Sequence, residues 1–148
     1  APWRFVTGNN LPDQVFAELR VSAPDGVTIE RFRADFQTCL RNCRLSISQA
    51  GYNTVMETLA AEARAVVVPF AEGGESEQPL RARLLAERGL LTVVDPDRLD
   101  PPALAGAIEH ALRKSAPARG GIDMAGAGKT ARAIAEILGS DMPTGGPV

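Results

Sequence analysis

No apolar run in this chain approaches the roughly 20 residues needed to cross a bilayer. Charge of one sign is not in surplus either. Sixteen Lys and Arg stand against 18 Asp and Glu, for a net charge of −2. A protein that binds the phosphate backbone carries a basic excess, so nucleic acid is not expected as a partner. Aromatic residues make up only 5% and there is one histidine, His110. The two cysteines, Cys39 and Cys43, lie four apart in a helical pattern and do not match Cys-x-x-Cys. A bridge between consecutive helical turns would strain a disulfide. A reduced thiol pair in a cytoplasmic setting is the expectation, with no metal site. The chain starts Ala1-Pro2-Trp3-Arg4, without Met or a signal-peptide core, and enters a strand-like stretch almost at once. A piece of a longer chain is therefore expected.

What is present is 148 residues with 45% hydrophobic content, enough for one domain with a sizeable core. Strand-like and helix-like patterns alternate. "WRFVT" (Trp3–Thr7), "VTIERF" (Val27–Phe32), "RLSIS" (Arg44–Ser48), "AVVVPF" (Ala65–Phe70) and "LLTVV" (Leu90–Val94) read as strands. Helical spacing covers 13–21, 34–43, 52–63, 78–88 and 103–114, and a final short helix is expected over 129–138. "AVVVPF" is apolar throughout, as befits a central parallel strand covered on both faces. Asp100, followed by two prolines, is an expected helix N-cap. "AEGGESE" reads as a flexible acidic loop, and "SDMPTGGPV" as a flexible tail.

Alternation of this kind implies βαβ units. The expected fold is α/β: a Rossmann-like doubly wound parallel sheet of about five strands with helices on both faces, order 2-1-3-4-5. Residues 1–115 would form the binding domain, and 116–148 a linker, a short C-terminal helix and the tail. The switch point then lies between strands 1 and 3, where ligands bind in such folds. The loops there are Gly8–Asn10 and Gln49–Thr54.

The second loop carries the most chemistry. In "SQAGYNTVMETLAAEARAVVVPF" a Gly-Tyr-Asn-Thr turn joins strand to helix. Gly51 lets backbone approach a ligand closely. Asn53 and Thr54 could cap the helix, whose free N–H groups and dipole suit a phosphate. An ordinary capping turn weighs equally on these residues alone. Glu57 follows one turn later, roughly 5–6 Å along the axis. A carboxylate there suits a sugar diol, with a capping or surface role as the bland alternative. Glu77-Gln78, after the next strand, pairs an acceptor with an amide at another helix start.

"SQAGYNTVMETLAAEARAVVVPFAEGGESEQPLRARLLAERG" resembles the donor-binding core of GT-B fold glycosyltransferases, above all the C-terminal domain of glycosyltransferase family 28. UDP-glycosyltransferases are more distant relatives. The resemblance runs from about Val27 to Gly89 and more weakly to Lys114. It implies that Gln49, Gly51, Tyr52, Asn53 and Thr54 hold the donor diphosphate, although Gln49 stands where plant-type relatives have a phosphate-contacting His. It implies that Glu57 binds ribose, that Phe32 and Arg33 meet the base, and that Glu77 and Gln78 hold the donor sugar. The ligand would be a nucleotide-sugar, with a UDP-sugar the first choice, and no cofactor or metal is implied. "WRFVTGNN" resembles that domain's second strand, so the family's first strand is expected to be missing here. The N-terminal acceptor domain that supplies the catalytic base is expected to be missing too, and the piece to be inactive alone. No residue of this chain is therefore assigned to catalysis. The expected activity is inverting hexosyl transfer to an acceptor hydroxyl. Two alternatives stay open: a non-catalytic donor-binding subunit needing an acceptor-binding partner, and a nucleotide-sugar 2-epimerase. Peripheral membrane contact and a homodimer covering the sheet edge also stay open.

Other features weigh less. "GIDMAGAGKT" looks like a P-loop, but Asp123 stands where the Walker pattern needs Gly, so an NTPase is not expected. Glu72, Glu75 and Glu77 suggest a solvated loop rather than a metal site. His110 reads as a packing or surface residue. Arg81, Arg83 and Arg88 read as the polar face of a helix.

Overall fold

The computed structural model describes residues 2–74, 76–117, 122 and 126–138. The expected tail (140–148), Glu75, and part of the linker and P-loop-like stretch (118–121, 123–125) lie outside the described residues. Among the described residues five strands and six α-helices are formed: β1 (Trp3–Val6), α1 (Asp13–Ser22), β2 (Val27–Glu30), α2 (Phe36–Asn42), β3 (Ser46–Ser48), α3 (Tyr52–Ala60), β4 (Ala65–Val67), α4 (Glu77–Glu87), β5 (Thr92–Val93), α5 (Pro101–Arg113) and α6 (Gly126–Leu138). Cys39 and Cys43 are not bridged. No helix among the described residues is long and apolar enough to cross a membrane.

Every ladder is parallel. β1 pairs with β2 from Trp3 opposite Val27 to Val6 opposite Glu30. β4 lies between β3 and β5, with Val66 opposite both Ile47 and Thr92. The partial orders 2-1 and 3-4-5 thus match expectation, but the step from strand 1 to strand 3 belongs to neither ladder. The strands form one two-stranded and one three-stranded sheet. A three-residue β3 offers a short edge, and its ladder is made to β4. The chain divides into two compact units between Cys39 and Leu40, so the loop at 8–10 belongs to the first unit and the turn at 49–54 to the second.

In the first unit α1 packs on β2. Arg31, just past β2, gathers the loop before α1. Its Nη1 donates to the Leu11 carbonyl at 2.6 Å, its Nη2 pairs with Asp13 at 2.5 Å, and its guanidinium lies 4.3 Å from the Phe16 ring centroid. No residue of α1 is buried.

The second unit explains the apolar run at 65–70. Residues of a strand alternate sides. Ala65 and Val67 enter a cluster with Val55 and Leu59 of α3, Ala82 and Leu85 of α4, and Ala50, Leu90 and Leu91. Val66 enters a second cluster with Val94 and Ala111 of α5. Helices therefore cover both faces of this sheet, as a doubly wound parallel sheet requires. Asp100 caps α5 as expected, its Oδ1 accepting from the Ala103 N–H at 2.7 Å.

Candidate functional site

The turn after β3 is held from beneath. Ala50 is fully buried and anchors Gln49–Gly51 to the core, while Gln49 is exposed. α3 then starts at Tyr52 with Gly51 as N-cap and no side-chain capping bond. This corrects the expectation that Asn53 and Thr54 cap the helix: they lie inside its first turn. The same start removes the capping-box role considered for Glu57. The first intrahelical bond runs from the Val55 N–H to the Gly51 carbonyl at 3.0 Å. Helix geometry leaves the N–H groups of Tyr52, Asn53 and Thr54 without an intrahelical acceptor. They sit at the positive end of the helix dipole.

Gly51 is not demanded by the fold. Its φ is −59°, which any residue adopts, and a Cβ built there meets nothing within 4 Å. The space beside the helix start is open. Further along, the buried Thr58 hydroxyl donates to the Thr54 carbonyl at 2.7 Å. Glu57 is half-buried, and among the described residues no hydrogen bond or ion pair engages its carboxylate.

α4 brings a second group to the same place. Glu77 is its first residue and pairs with Arg81 at 3.5 Å. Arg81 donates from Nη1 to the Ala50 carbonyl at 2.7 Å, and its guanidinium lies 5.6 Å from the Tyr52 ring centroid. Its side chain is only 20% exposed, so the expectation that Arg81 is part of a solvated polar face is corrected. Arg83, at 68%, does face solvent. Gln78 turns toward the strand end, its Oε1 accepting from the Phe70 N–H at 3.1 Å. The structure thus brings Gly51–Thr54, Glu77 and Arg81 together, with Glu57 on the helix that the turn starts. Sequence reasoning missed Arg81. The only local signals were its i,i+4 spacing from Glu77 and an aromatic at Tyr52.

Phe32 and Arg33 lie in the other unit, on the loop after β2. Phe32 is 70% exposed. Arg33 is engaged within its own loop: Nε and Nη2 fork onto the Asp35 carboxylate at 2.8 and 2.6 Å, and Nη1 donates to Glu30 at 3.0 Å. The fork from Arg33 holds the Asp35 carboxyl below the usual aspartate range, and Asp35 in turn raises Arg33. Among the described residues no group of three His, Cys, Asp or Glu side chains is arranged to hold a metal.

A parallel α/β unit with helices on both sheet faces and an open helix start after a strand defines a Rossmann-like domain, and comparison with known proteins narrows this to one family. The model of the glycosyltransferase family 28 C-terminal domain matches residues 4–137, and the chain belongs to that family. Among curated proteins it is similar to the UDP-N-acetylglucosamine–N-acetylmuramyl-(pentapeptide) pyrophosphoryl-undecaprenol N-acetylglucosamine transferase of Natranaerobius thermophilus. Identity is 29% over 100 residues, covering 65% of this chain and 27% of that protein. An uncharacterized glycosyltransferase of Methanopyrus kandleri is 29% identical over 125 residues, covering 84% of this chain and 35% of its own. The chain therefore spans about a quarter to a third of the length of these relatives. Among solved structures, the calicheamicin glycosyltransferase CalG4 superposes with a TM-score of 0.67 at 26% identity, covering 95% of this chain and 35% of that one. The fold is that of the C-terminal, donor-binding domain of GT-B glycosyltransferases.

Proposed function

We propose that this chain binds the nucleotide-sugar donor of an inverting glycosyltransferase, with a UDP-sugar as ligand and the acceptor-binding half and catalytic base supplied from outside it. The observation that carries this is the uncapped start of α3: open space at Gly51 and three N–H groups without intrahelical acceptors. On the same helix lies a half-buried Glu57 carboxylate that no described side chain engages. A diphosphate is accepted at such a helix end, and a ribose diol by such a carboxylate. In this reading Phe32, exposed on its own unit, is assigned to the base, and Glu77 with the Gln78 amide to the sugar.

In the reaction this implies, an acceptor hydroxyl oxygen attacks the donor's anomeric carbon in line. The bond from that carbon to the β-phosphate oxygen breaks, the electron pair leaves with the nucleoside diphosphate, and the acceptor proton passes to the external base. This chain's part is to hold the donor and to stabilise the charge gathering on the departing diphosphate through the N–H groups of 52–54.

Calorimetric titration of the full-length protein with UDP, GDP and dTDP tests the reading. UDP is expected to bind most tightly, and Glu57→Ala to weaken it by about tenfold or more, the size of a lost charge-assisted hydrogen bond pair. Absence of binding by all three, or affinity unchanged in Glu57→Ala, would refute it.

A further inference from the structure

Arg81 has three partners, two in the turn that starts α3 and one on the first turn of its own helix. Its Nη1 reaches the carbonyl of buried Ala50, two residues before α3; its Nη2 reaches the Glu77 carboxylate; its guanidinium stands over the Tyr52 ring. An arginine four-fifths removed from water and tied to a backbone carbonyl 31 residues away is not decoration on a helix surface. The planar fork matters here. One nitrogen donates to a carbonyl while another faces a carboxylate, at two fixed points of one rigid group, which an ammonium cannot reproduce.

We infer that Arg81 is a positioning residue that couples the two ends of the donor site, setting the diphosphate turn and the sugar-facing Glu77 in one geometry. The inference rests on the donor-binding reading. Through Ala50 the guanidinium fixes the backbone that aims the N–H groups of Tyr52, Asn53 and Thr54. Through Glu77 it holds a carboxylate whose side chain is otherwise 82% exposed and, as a long flexible chain, would lose rotamer freedom on meeting a sugar. Holding it in place beforehand removes that cost from binding. The cation also lies beside the α3 start, where it adds to the positive potential that a diphosphate meets. Arg81 touches no reacting atom in this scheme and acts through Ala50 and Glu77.

The consequence is specific to ligands that reach both ends. UDP engages only the turn, whereas a UDP-sugar engages turn and Glu77 together. The test is calorimetry on the full-length protein with UDP and with whichever of UDP-glucose and UDP-N-acetylglucosamine the wild type binds more tightly. The variants are Arg81→Gln, Arg81→Lys, Glu77→Gln and the double variant Arg81→Gln/Glu77→Gln. The expected result is a loss of about tenfold or more for the UDP-sugar in both Arg81 variants, with a smaller loss for UDP, so that the ratio of the two affinities falls. The Arg81→Gln and Glu77→Gln losses should be non-additive for the UDP-sugar by about threefold or more, and additive for UDP. A purely structural clamp would lower both affinities equally and leave the ratio fixed, which overturns the inference, as does additivity for the UDP-sugar. Should Arg81→Gln fail to fold, Arg81→Lys, which keeps stem and charge, decides through the ratio alone. A wild type that binds no nucleotide overturns the donor reading and this inference with it. A wild type that binds both ligands, with the ratio unmoved in Arg81→Lys, overturns this inference alone.

Discussion

Gly51 separates the demands of folding from those of binding. Its backbone is ordinary and nothing fills the space where a Cβ would stand. Replacing it by alanine carries two small and opposite effects. The unfolded chain loses freedom, which stabilises by roughly 0.4–1 kcal/mol, while alanine is a poorer N-cap than glycine by about the same amount. Gly51→Ala is therefore expected to leave the melting temperature within a few degrees while weakening UDP binding, since the methyl occupies the approach to the helix N–H groups. Equal affinity in the two proteins would show that nothing comes close to that carbon. At the same scale, the fork between Arg33 and Asp35 has a pH signature. A carboxyl whose folded pKa lies below its unfolded value, about 3.9 for aspartate, stabilises the fold above that value. The contribution disappears as pH falls through the lowered folded pKa. Carboxyl NMR titration should place the Asp35 midpoint below the usual aspartate value, and Arg33→Gln should return it there. An unmoved midpoint in the variant would contradict the assignment to Arg33.

Elements were legible where a local rule acts alone. Asp100 with two following prolines announces a helix start, and the structure places the carboxylate on the Ala103 N–H. Asp100→Ala should cost about 1 kcal/mol in denaturant unfolding, with no effect on nucleotide binding. The apolar run at 65–70 announced a strand covered twice, and Val66 and Val67 do enter different clusters. The position of the turn at 51–54 followed from the change of period between β3 and α3. Two things were not legible. The capping role of Asn53 and Thr54 was misread because glycine serves as the cap at 51, two residues before Asn53, which leaves both side chains inside the first turn. Arg81 was misread because an i,i+4 Glu–Arg spacing describes a solvated helix face equally well. What distinguishes it is a carbonyl 31 positions away, which no periodicity encodes. Arg31, gathered onto Leu11, Asp13 and Phe16, escaped for the same reason. The strand order was legible pairwise, 2-1 and 3-4-5, because short right-handed βα connections favour neighbours. The step from β1 to β3 depends on contacts beyond any one connection.

Across the whole molecule, burial is uneven. Every residue of the described core lies at Leu40 or beyond, and none precedes it. Stability should therefore be graded along the chain. Amides of β4 are expected to exchange with solvent deuterium last, near the global unfolding limit, and those of β1 and β2 markedly earlier. Uniform protection across both units would contradict this. Leu59, 5% exposed on the buried face of α3, is a matching probe: Leu59→Ala should cost about 2–5 kcal/mol. Saturating nucleotide should return part of that loss, about 2.7 kcal/mol at a hundredfold excess over Kd, readable as a rise in melting temperature.

The bond from the Phe70 N–H to Gln78 Oε1 has a consequence for how such proteins diversify. It fastens the exit of β4 to the first turn of α4, so the stretch between them is a closed loop with both ends tied. Lengthening a closed loop is inexpensive, roughly 0.6 kcal/mol for each doubling. The connection from Phe70 to Gln78 can thus vary in length and composition while β4 and α4 stay in place, so this part of the chain is free to drift without refolding the domain that carries it.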